Sequence, residues 1–395
     1  MKRIAVVFEE DIFDQKGTFR AKLERIRHLS GFEVDVYCIC LRYGLPERMI
    51  LGTRYLEGVS ERDLVSRKTL DFEGVTYRMQ WKDYSILDHF LFFKCGVRPL
   101  RYPRFLKRMA ESLKGYDLIY AHGFEGGFLA REAWRRNGIP YCVTWHGSDI
   151  HTKPFRYPCI RKDTASILAE AQMNFFVSRS LLETSDTLGP GKKTVLYNGC
   201  SEEFFPMDTV ARGRLRRQYG LEGETVVGYV GNLVALKNAH LLPAIFEGIR
   251  TRLGRTVTFW VIGDGKLRRE VESGMKVPCR FWGNVAHDRL PALMNCMDLL
   301  VLPSRQEGLG LVLLEALHCG CKAVGTDTGG IPEVIGREAC VPFTGDDRAF
   351  IEAFADKAVT ILDAPFRQFP PSGMDWEESA RKEKEVLESI LSTGR

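Results

Sequence analysis

A chain of 395 residues exceeds the roughly 250 to 300 residues at which one hydrophobic core stops growing, so its length predicts two domains. With 45% hydrophobic and 27% charged residues, its composition excludes a fibrous or an intrinsically disordered protein. The net charge is +5, and because no nucleic-acid recognition motif accompanies it, we expect no nucleic-acid partner.

The chain opens on a short apolar run, residues 4–8, which three acidic residues follow. This run is too short for the core of a signal peptide, so we interpret it as a buried first strand. No later run approaches the roughly 18 to 20 apolar residues that span a membrane. We therefore expect a cytoplasmic protein.

Short apolar and β-branched runs recur along the first half of the chain, separated by segments of helix length. This alternation predicts a parallel sheet covered by helices. The runs are residues 4–8, 34–39, 118–120, 141–145, 175–177 and 194–197.

A basic segment with interleaved aromatic residues lies between Phe92 and Lys114. Its composition suits an anionic membrane surface and predicts a peripheral protein on the inner face of the membrane. The alternative is a solvated basic helix face, and the sequence does not separate the two. The residues concerned are Phe92, Phe93, Lys94, Arg98, Arg101, Tyr102, Arg104, Phe105, Lys107, Arg108 and Lys114.

The second half repeats the alternation, with apolar runs at residues 225–230, 257–262, 280–282, 299–302 and 322–324. Pro206 interrupts the rhythm between the halves, so we predict two doubly wound α/β domains, residues 1–205 and 206–375. The remaining segment, 376–395, has apolar residues at helical spacing, and we expect that helix to pack back on the first domain.

Eleven cysteines occur, most of them inside apolar runs, and we interpret them as reduced structural thiols. The alternative is a metal site that uses His318, Cys319 and Cys321, but no second ligand pair with zinc-like spacing appears. We expect neither a metal nor a cofactor.

Residues 304–316, SRQEGLGLVLLEA, predict the end of a strand, a glycine-containing loop and a helix that begins near Gly310. Gly308 and Gly310 let the backbone approach a ligand closely, and the N–H groups and dipole of a helix start favour a phosphate. Glu315, inside the helix, suits the ribose hydroxyls of a nucleotide, whereas Glu307, in the loop, faces whatever group the phosphate carries. Alternatively, Glu315 pairs with a surface cation and Glu307 caps a helix.

This segment resembles the paired-glutamate motif of the retaining glycosyltransferases of family 4, which have the GT-B fold. The resemblance covers nearly the whole chain. It implies a nucleotide-sugar donor on the second domain, an acceptor on the first, and a cleft that closes to exclude water. The other matching segments are DLIYAHGF, TWHGSDI, VLYNGCSEEFFP, VGYVGNLVALKN, FWVIGDGKL, FWGNV and CGCKAVGTDTGGIPEVI.

The resemblance also implies roles for single residues. Glu307 positions the sugar, Lys237 contacts the leaving diphosphate and His146 lies against the donor sugar. Where the family usually has an arginine, this chain has Asn232, so Arg305 is a candidate for assisting Lys237. The other implied donor positions are Gly17, Gly263, Val285, Gly308, Leu309, Gly310, Leu311 and Glu315, and the acceptor-side candidates are His122 and Asp149, the latter equally suited to cap a helix.

These features predict a retaining, metal-independent hexosyltransferase. It would move a sugar from a UDP- or GDP-sugar to a glycan or lipid-linked acceptor in the assembly of cell-surface polysaccharide. A nucleotide-sugar epimerase or a phosphorylase would use the same architecture, and a non-catalytic sugar-binding protein is a further alternative. New sugar isomers formed from a donor without an acceptor would identify an epimerase.

Overall fold

The computed structural model of the chain describes residues 1–10, 17–43, 55–56, 59–60, 67–85, 87–88, 90–91, 102–365 and 367–393. It divides into two compact units. The first comprises Met1–Tyr197 and Trp376–Arg395, and the second comprises Asn198–Asp375. The second unit therefore begins eight residues before Pro206, where we placed the boundary.

The first unit is built on an eight-stranded sheet in the order β10-β9-β8-β7-β1-β2-β6-β5, and a separate antiparallel pair, β3-β4, accompanies it. All pairs in the large sheet are parallel except β5 with β6. The strands are β1 Arg3–Glu9, β2 Glu33–Tyr43, β3 Tyr55–Leu56, β4 Val59–Ser60, β5 Thr69–Phe72, β6 Val75–Tyr84, β7 Leu118–His122, β8 Tyr141–Trp145, β9 Met173–Phe176 and β10 Lys193–Val195.

Helices cover this sheet, whose central strands β1, β7 and β8 are almost wholly buried. Close packing depends on Gly126, because a Cβ there would lie 2.5 Å from the carbonyl oxygen of Val7. Each of the six runs predicted in the first half overlaps a strand of the sheet. The helices are α1 Gly17–His28, α2 Tyr102–Ser112, α3 Gly123–Asn137, α4 Ser148–His151, α5 Lys153–Arg156, α6 Pro158–Glu170, α7 Arg179–Asp186 and the C-terminal helix Trp376–Thr393.

A buried polar network ties the C-terminal helix to the first unit. Arg25 Nη1 lies 3.2 Å from Glu383 Oε1, and each of these side chains is only 1% exposed. The hydroxyl of Tyr120 also donates to Glu383, and Ser379 Oγ donates to the carbonyl of Tyr197 at 2.6 Å. The helix is thus held by buried polar groups that would lose these contacts if it detached.

We expect Glu383→Ala to destabilise the first unit by about 3–5 kcal/mol, because it removes a buried carboxylate that contacts the buried guanidinium of Arg25. Urea denaturation followed by circular dichroism measures the change. Glu385→Ala is the matched control on the same helix, since that carboxylate is exposed and pairs with Arg381. It should change stability by less than about 0.5 kcal/mol. Equal shifts in the two variants would contradict a stabilising role for the buried pair.

The second unit has a six-stranded, wholly parallel sheet in the order β13-β12-β11-β14-β15-β16. All five runs predicted in the second half are strands. The strands are β11 Thr225–Val230, β12 Val257–Ile262, β13 Cys279–Gly283, β14 Leu299–Leu302, β15 Lys322–Thr326 and β16 Cys340–Val341; the helices are α8 Thr209–Gln218, α9 Leu242–Leu253, α10 Arg268–Gly274, α11 Leu290–Cys296, α12 Leu311–His318, α13 Ile331–Ile335 and α14 Asp347–Asp363. Both units are therefore doubly wound α/β domains, as predicted.

The basic segment between Phe92 and Lys114 is described only in part, because residues 92–101 lie outside the described residues. On α2, Arg104, Lys107 and Arg108 are exposed, whereas Phe105 is buried. In the described part of the chain, no helix combines the length and the apolarity that crossing a membrane requires. Association with a membrane surface stays a prediction.

Candidate functional site

The carboxyl ends of two neighbouring strands bring the predicted lysine and glutamate together. Strands β11 and β14 are adjacent and parallel, so the loops that follow them meet at one edge of the sheet. Lys237 lies in the first loop and Glu307 in the second. Lys237 Nζ is 2.5 Å from Glu307 Oε1 and also contacts Oε2. Both side chains are largely withdrawn from solvent, at 21% and 14% exposed, so the contact is a shielded ion pair.

Asn238, which the sequence analysis did not single out, holds these two loops together. It is fully buried and has φ 50°, in the left-handed region. Its Nδ2 donates to the carbonyl of Pro303 at 2.9 Å, and its Oδ1 accepts from Arg305 Nε at 2.5 Å. The backbone N–H of Arg305 in turn donates to the carbonyl of Leu236 at 2.9 Å. Asparagine tolerates left-handed backbone better than most residues. An asparagine directly after Lys237 is therefore the sequence feature that could have indicated a tight turn here.

The structure fixes the position of Arg305, the cation expected to assist Lys237. Its Nε is held by Asn238, its guanidinium carbon lies 5.1 Å from the centre of the Phe343 ring, and Nη2 is 3.8 Å from Asp347 Oδ1. The side chain is 45% exposed. These contacts hold the Arg305 side chain against its own loop, which also carries Glu307. Asp347 balances part of its charge.

Asn232 is the second residue after the end of β11. Its backbone carbonyl accepts a hydrogen bond from the Tyr229 hydroxyl at 2.9 Å. Burial, together with the charge of Glu307, raises the pKa of Tyr229, so this hydroxyl stays protonated and remains a donor. The hydrogen bond from this buried hydroxyl therefore holds the loop after β11 in place.

The helix predicted near Gly310 is α12, and it begins at Leu311. Gly310 precedes it with φ 90°, a conformation that favours glycine. The first N–H groups of any helix have no partner within the helix, so this start is suited to an anion. Glu307 lies just before it, and a Cβ on Gly310 would be 3.6 Å from Glu307 Cγ.

Glu315 lies within α12 and is 16% exposed. Its Oε1 is 3.8 Å from Nε2 of His287, whose ring lies edge-on to Phe204 with centres 5.3 Å apart. Nδ1 of His287 is 4.0 Å from Glu203 Oε2. His287 therefore sits between two carboxylates, a position that its sequence context after Asn284-Val285 did not reveal.

Backbone segments approach one another closely around this edge of the sheet. A Cβ on Gly263, where φ is 120°, would lie 2.1 Å from the carbonyl oxygen of Gly231. A Cβ on Gly329, where φ is 54°, would lie 2.0 Å from the carbonyl oxygen of Glu307. Neither position accepts a larger residue. The remaining donor positions in this unit, Val285, Gly308 and Leu309, follow strands β13 and β14.

In the first unit the structure brings together His122, His146 and Asp149, which follow or end strands β7 and β8. His122 Nδ1 is 3.2 Å from His146 Nε2, and the two rings stack with centres 5.4 Å apart. Asp149 accepts the backbone N–H groups of Gly147 at 2.9 Å and of His146 at 3.4 Å, so it fixes the turn. Gly17 is the first residue of α1 and lies after the undescribed residues 11–16.

Both histidines are held neutral. Burial lowers the pKa of His122 well below its usual value, and the charges of Lys22 and Arg25 lower it further. The pKa of His146 is lowered by burial first, then by His122 and the same two cations. His122 is only 1% exposed, so its ring lies among other side chains, and its acceptor-side role stays a prediction.

Within the described ranges no group of three or more His, Cys, Asp or Glu side chains is arranged to hold a metal ion. Cys319 and Cys321, the thiols of the alternative metal site, are buried, and burial raises the pKa of Cys319 to about 12. Independence from metals and cofactors stays a prediction.

Two family descriptions match the chain. The one named "Glycosyl transferase 4-like domain" matches residues 22–199, and "Glycosyl transferases group 1" matches residues 224–363. Together with two parallel-sheet α/β domains, they define the class of glycosyltransferases with the GT-B fold. The first of these descriptions supports, more narrowly, the glycosyltransferase 4 type within that class.

Individual proteins agree with this assignment. The chain is 33% identical to the 2-deoxystreptamine glucosyltransferase of Streptomyces kanamyceticus, over 56% of this chain and 62% of that protein. It is 29% identical to a GDP-mannose-dependent phosphatidylinositol monomannoside mannosyltransferase of Mycolicibacterium smegmatis, over 67% and 74%. The structure of Anabaena HepE in complex with UDP and glucose superposes with a TM-score of 0.67, at 17% identity, over 98% of this chain and 99% of that one. The chain thus matches less than two thirds of the length of the first of these relatives.

Proposed function

We propose that the protein is a retaining glycosyltransferase that moves a hexose from a UDP- or GDP-sugar to a glycan or lipid-linked acceptor. The observation that carries the proposal is the contact between Lys237 and Glu307 in front of the start of α12. All three groups lie at the same edge of the sheet. The cation suits the charge of a sugar diphosphate, the carboxylate suits its sugar hydroxyls, and the helix N–H groups suit its phosphate oxygens.

In this proposal the donor diphosphate lies against the start of α12, and Lys237 neutralises the charge that develops as the sugar–phosphate bond breaks. Glu307 leaves Lys237 when the donor binds and accepts hydrogen bonds from the sugar hydroxyls. Glu315 accepts the ribose hydroxyls. Asn238 keeps the two loops in register throughout, since its contacts are to backbone and to Arg305.

We propose further that no metal takes part, because Lys237 and the helix start supply the positive field that the diphosphate needs. Retention of the anomeric configuration would follow the front-face route, in which the leaving phosphate assists the acceptor hydroxyl. That route requires no protein nucleophile.

The names of similar proteins support a hexose donor. The mycobacterial relative is named for GDP-mannose and the Anabaena structure holds UDP and glucose. The mannosyltransferase also acts, by its name, on a phosphatidylinositol glycolipid. We therefore retain a lipid-linked acceptor in cell-surface polysaccharide assembly as the proposed setting.

A thermal-shift screen of UDP-, GDP- and ADP-sugars tests the donor. A ligand at a hundred times its dissociation constant stabilises the native protein by about 2.7 kcal/mol, so one nucleotide should raise the melting temperature selectively. The stabilising donor is then incubated with glycolipid acceptors, with and without EDTA, and the anomeric configuration of the product is determined by NMR. No stabilisation by any nucleotide-sugar, or an inverted product, would overturn the proposal.

A further inference from the structure

The two stacked histidines of the first unit restrict one another. His122 is the last residue of β7. Its ring packs between two aromatic rings: the centre of the Tyr120 ring is 4.8 Å away, and the Phe8 ring lies edge-on with its centre 6.2 Å away. Its Nδ1 faces Nε2 of His146 at 3.2 Å. The His122 ring therefore has little freedom to rotate, and His146 must adapt to it.

Only one hydrogen can occupy the space between two neutral imidazoles. Either His122 carries it on Nδ1 and donates to His146 Nε2, or His146 carries it on Nε2 and donates to His122 Nδ1. The two arrangements differ at the far side of each ring. In the first, His122 Nε2 is a bare acceptor and His146 presents an N–H at Nδ1; in the second, His122 Nε2 carries the N–H and His146 Nδ1 presents a lone pair.

The surroundings of His122 Nε2 decide between them. This atom is buried and has no hydrogen-bond partner among the described residues. A buried N–H without a partner is rarer in proteins than an unfilled acceptor, and an unsatisfied buried group costs about 1–3 kcal/mol. The nearby charges of Lys22 and Arg25 also act against placing a further proton on either ring. The first arrangement is therefore favoured.

We propose that His122 is a positioning residue that holds His146 in the Nδ1–H form, so that His146 donates a hydrogen bond to a hydroxyl oxygen of a sugar substrate held on the first unit and cannot act as a general base. A ring nitrogen that carries hydrogen has no lone pair to receive a proton, and the other nitrogen of His146 is occupied by His122. Among the described residues, the hydrogen bond of the His146 ring is the one between its Nε2 and His122, which leaves Nδ1 for a ligand. The hydrogen bond from His146 to a sugar rests on the proposed function, whereas the tautomer of His146 does not.

The tautomer is measured on the full chain without any substrate. The protein is labelled with 15N-histidine, and two-bond 1H–15N correlation spectra report which nitrogen of each ring is protonated. His122→Asn and His146→Gln identify the two spin systems among the eight histidines. We expect Nδ1 protonated and Nε2 unprotonated in both rings at neutral pH. An Nε2–H form of His146, or an imidazolium, would overturn the inference.

Kinetics then separate positioning from mere packing. His122→Phe keeps the ring volume but removes the donor, whereas His122→Asn retains an N–H near the position of Nδ1. We expect His122→Phe to raise the KM for the sugar substrate that His146 contacts about tenfold with little change in kcat, the magnitude of one hydrogen bond, and His122→Asn to recover most of that loss. Equal loss in both variants, at unchanged melting temperature, would contradict positioning. If the wild-type protein turns over no nucleotide-sugar, the proposed function is wrong. The inference about the tautomer is then still tested independently by the NMR spectra.

Discussion

Lys237→Ala is expected to lower kcat for sugar transfer by about 10²–10³-fold, the usual cost of removing one group that stabilises developing charge. Lys237 contacts Glu307, which lies just before the start of α12, and the chain has Asn232 where the resemblance implies an arginine. The same variant should weaken the binding of UDP or GDP alone by about 1.5–3 kcal/mol, the contribution of one charge-assisted hydrogen bond. Steady-state kinetics and calorimetric titration of the free nucleotide measure the two losses.

Lys276→Ala is the matched control. Lys276 is exposed in the same unit, in the loop that precedes β13, and thus lies at the opposite edge of the sheet from the carboxyl ends. It carries the same charge, so any general electrostatic effect on an anionic donor would appear in both variants. Wild-type transfer by Lys237→Ala in a folded protein, or an equal loss in Lys276→Ala, would remove Lys237 from the site.

The sheet strands were predictable where burial makes them continuous apolar runs, as in β1, β8, β11 and β14. Strand β6, Val75–Tyr84, escaped because its sequence VTYRMQWKDY mixes charged and apolar residues. It lies near the edge of its sheet, and its side chains are partly solvated. Strand β16 has only two residues, too few for any periodicity. Hydrophobic pattern therefore predicts strands that are continuous apolar runs and misses strands that are mixed in composition or very short.

The residues of the candidate site likewise fall into those that the sequence predicted and those that it did not. Glu307, Glu315 and the helix start near Gly310 belong to one continuous segment, so their spacing could be interpreted directly. The roles of Asn238, His287 and His122 depend on contacts with residues distant in the chain. Asn238, for example, acts through the carbonyl of Pro303 and the side chain of Arg305. Nothing in the residues next to Asn238 specifies those partners; the order of the strands does.

Glu307→Gln is expected to separate nucleotide binding from sugar transfer. In the free protein the carboxylate of Glu307 occupies Lys237, so a donor must compete with it for the ammonium group. The amide of glutamine has no charge and releases Lys237. The variant should therefore bind UDP or GDP as tightly as the wild type or more tightly. It should lose transfer by about 10²-fold, since an amide is a weaker acceptor for the sugar hydroxyls than a carboxylate.

The comparison with Lys237→Ala makes this result specific, because the lysine variant should lose both properties and the glutamate variant only one. Glu247→Gln, which removes an exposed carboxylate on α9 of the same unit, controls for the change in net charge. Calorimetry with the free nucleotide and kinetics with the nucleotide-sugar are run on all three variants. If Glu307→Gln weakened nucleotide binding as much as Lys237→Ala does, the carboxylate would serve to orient the lysine. Glu307 would then not be the residue that recognises the sugar.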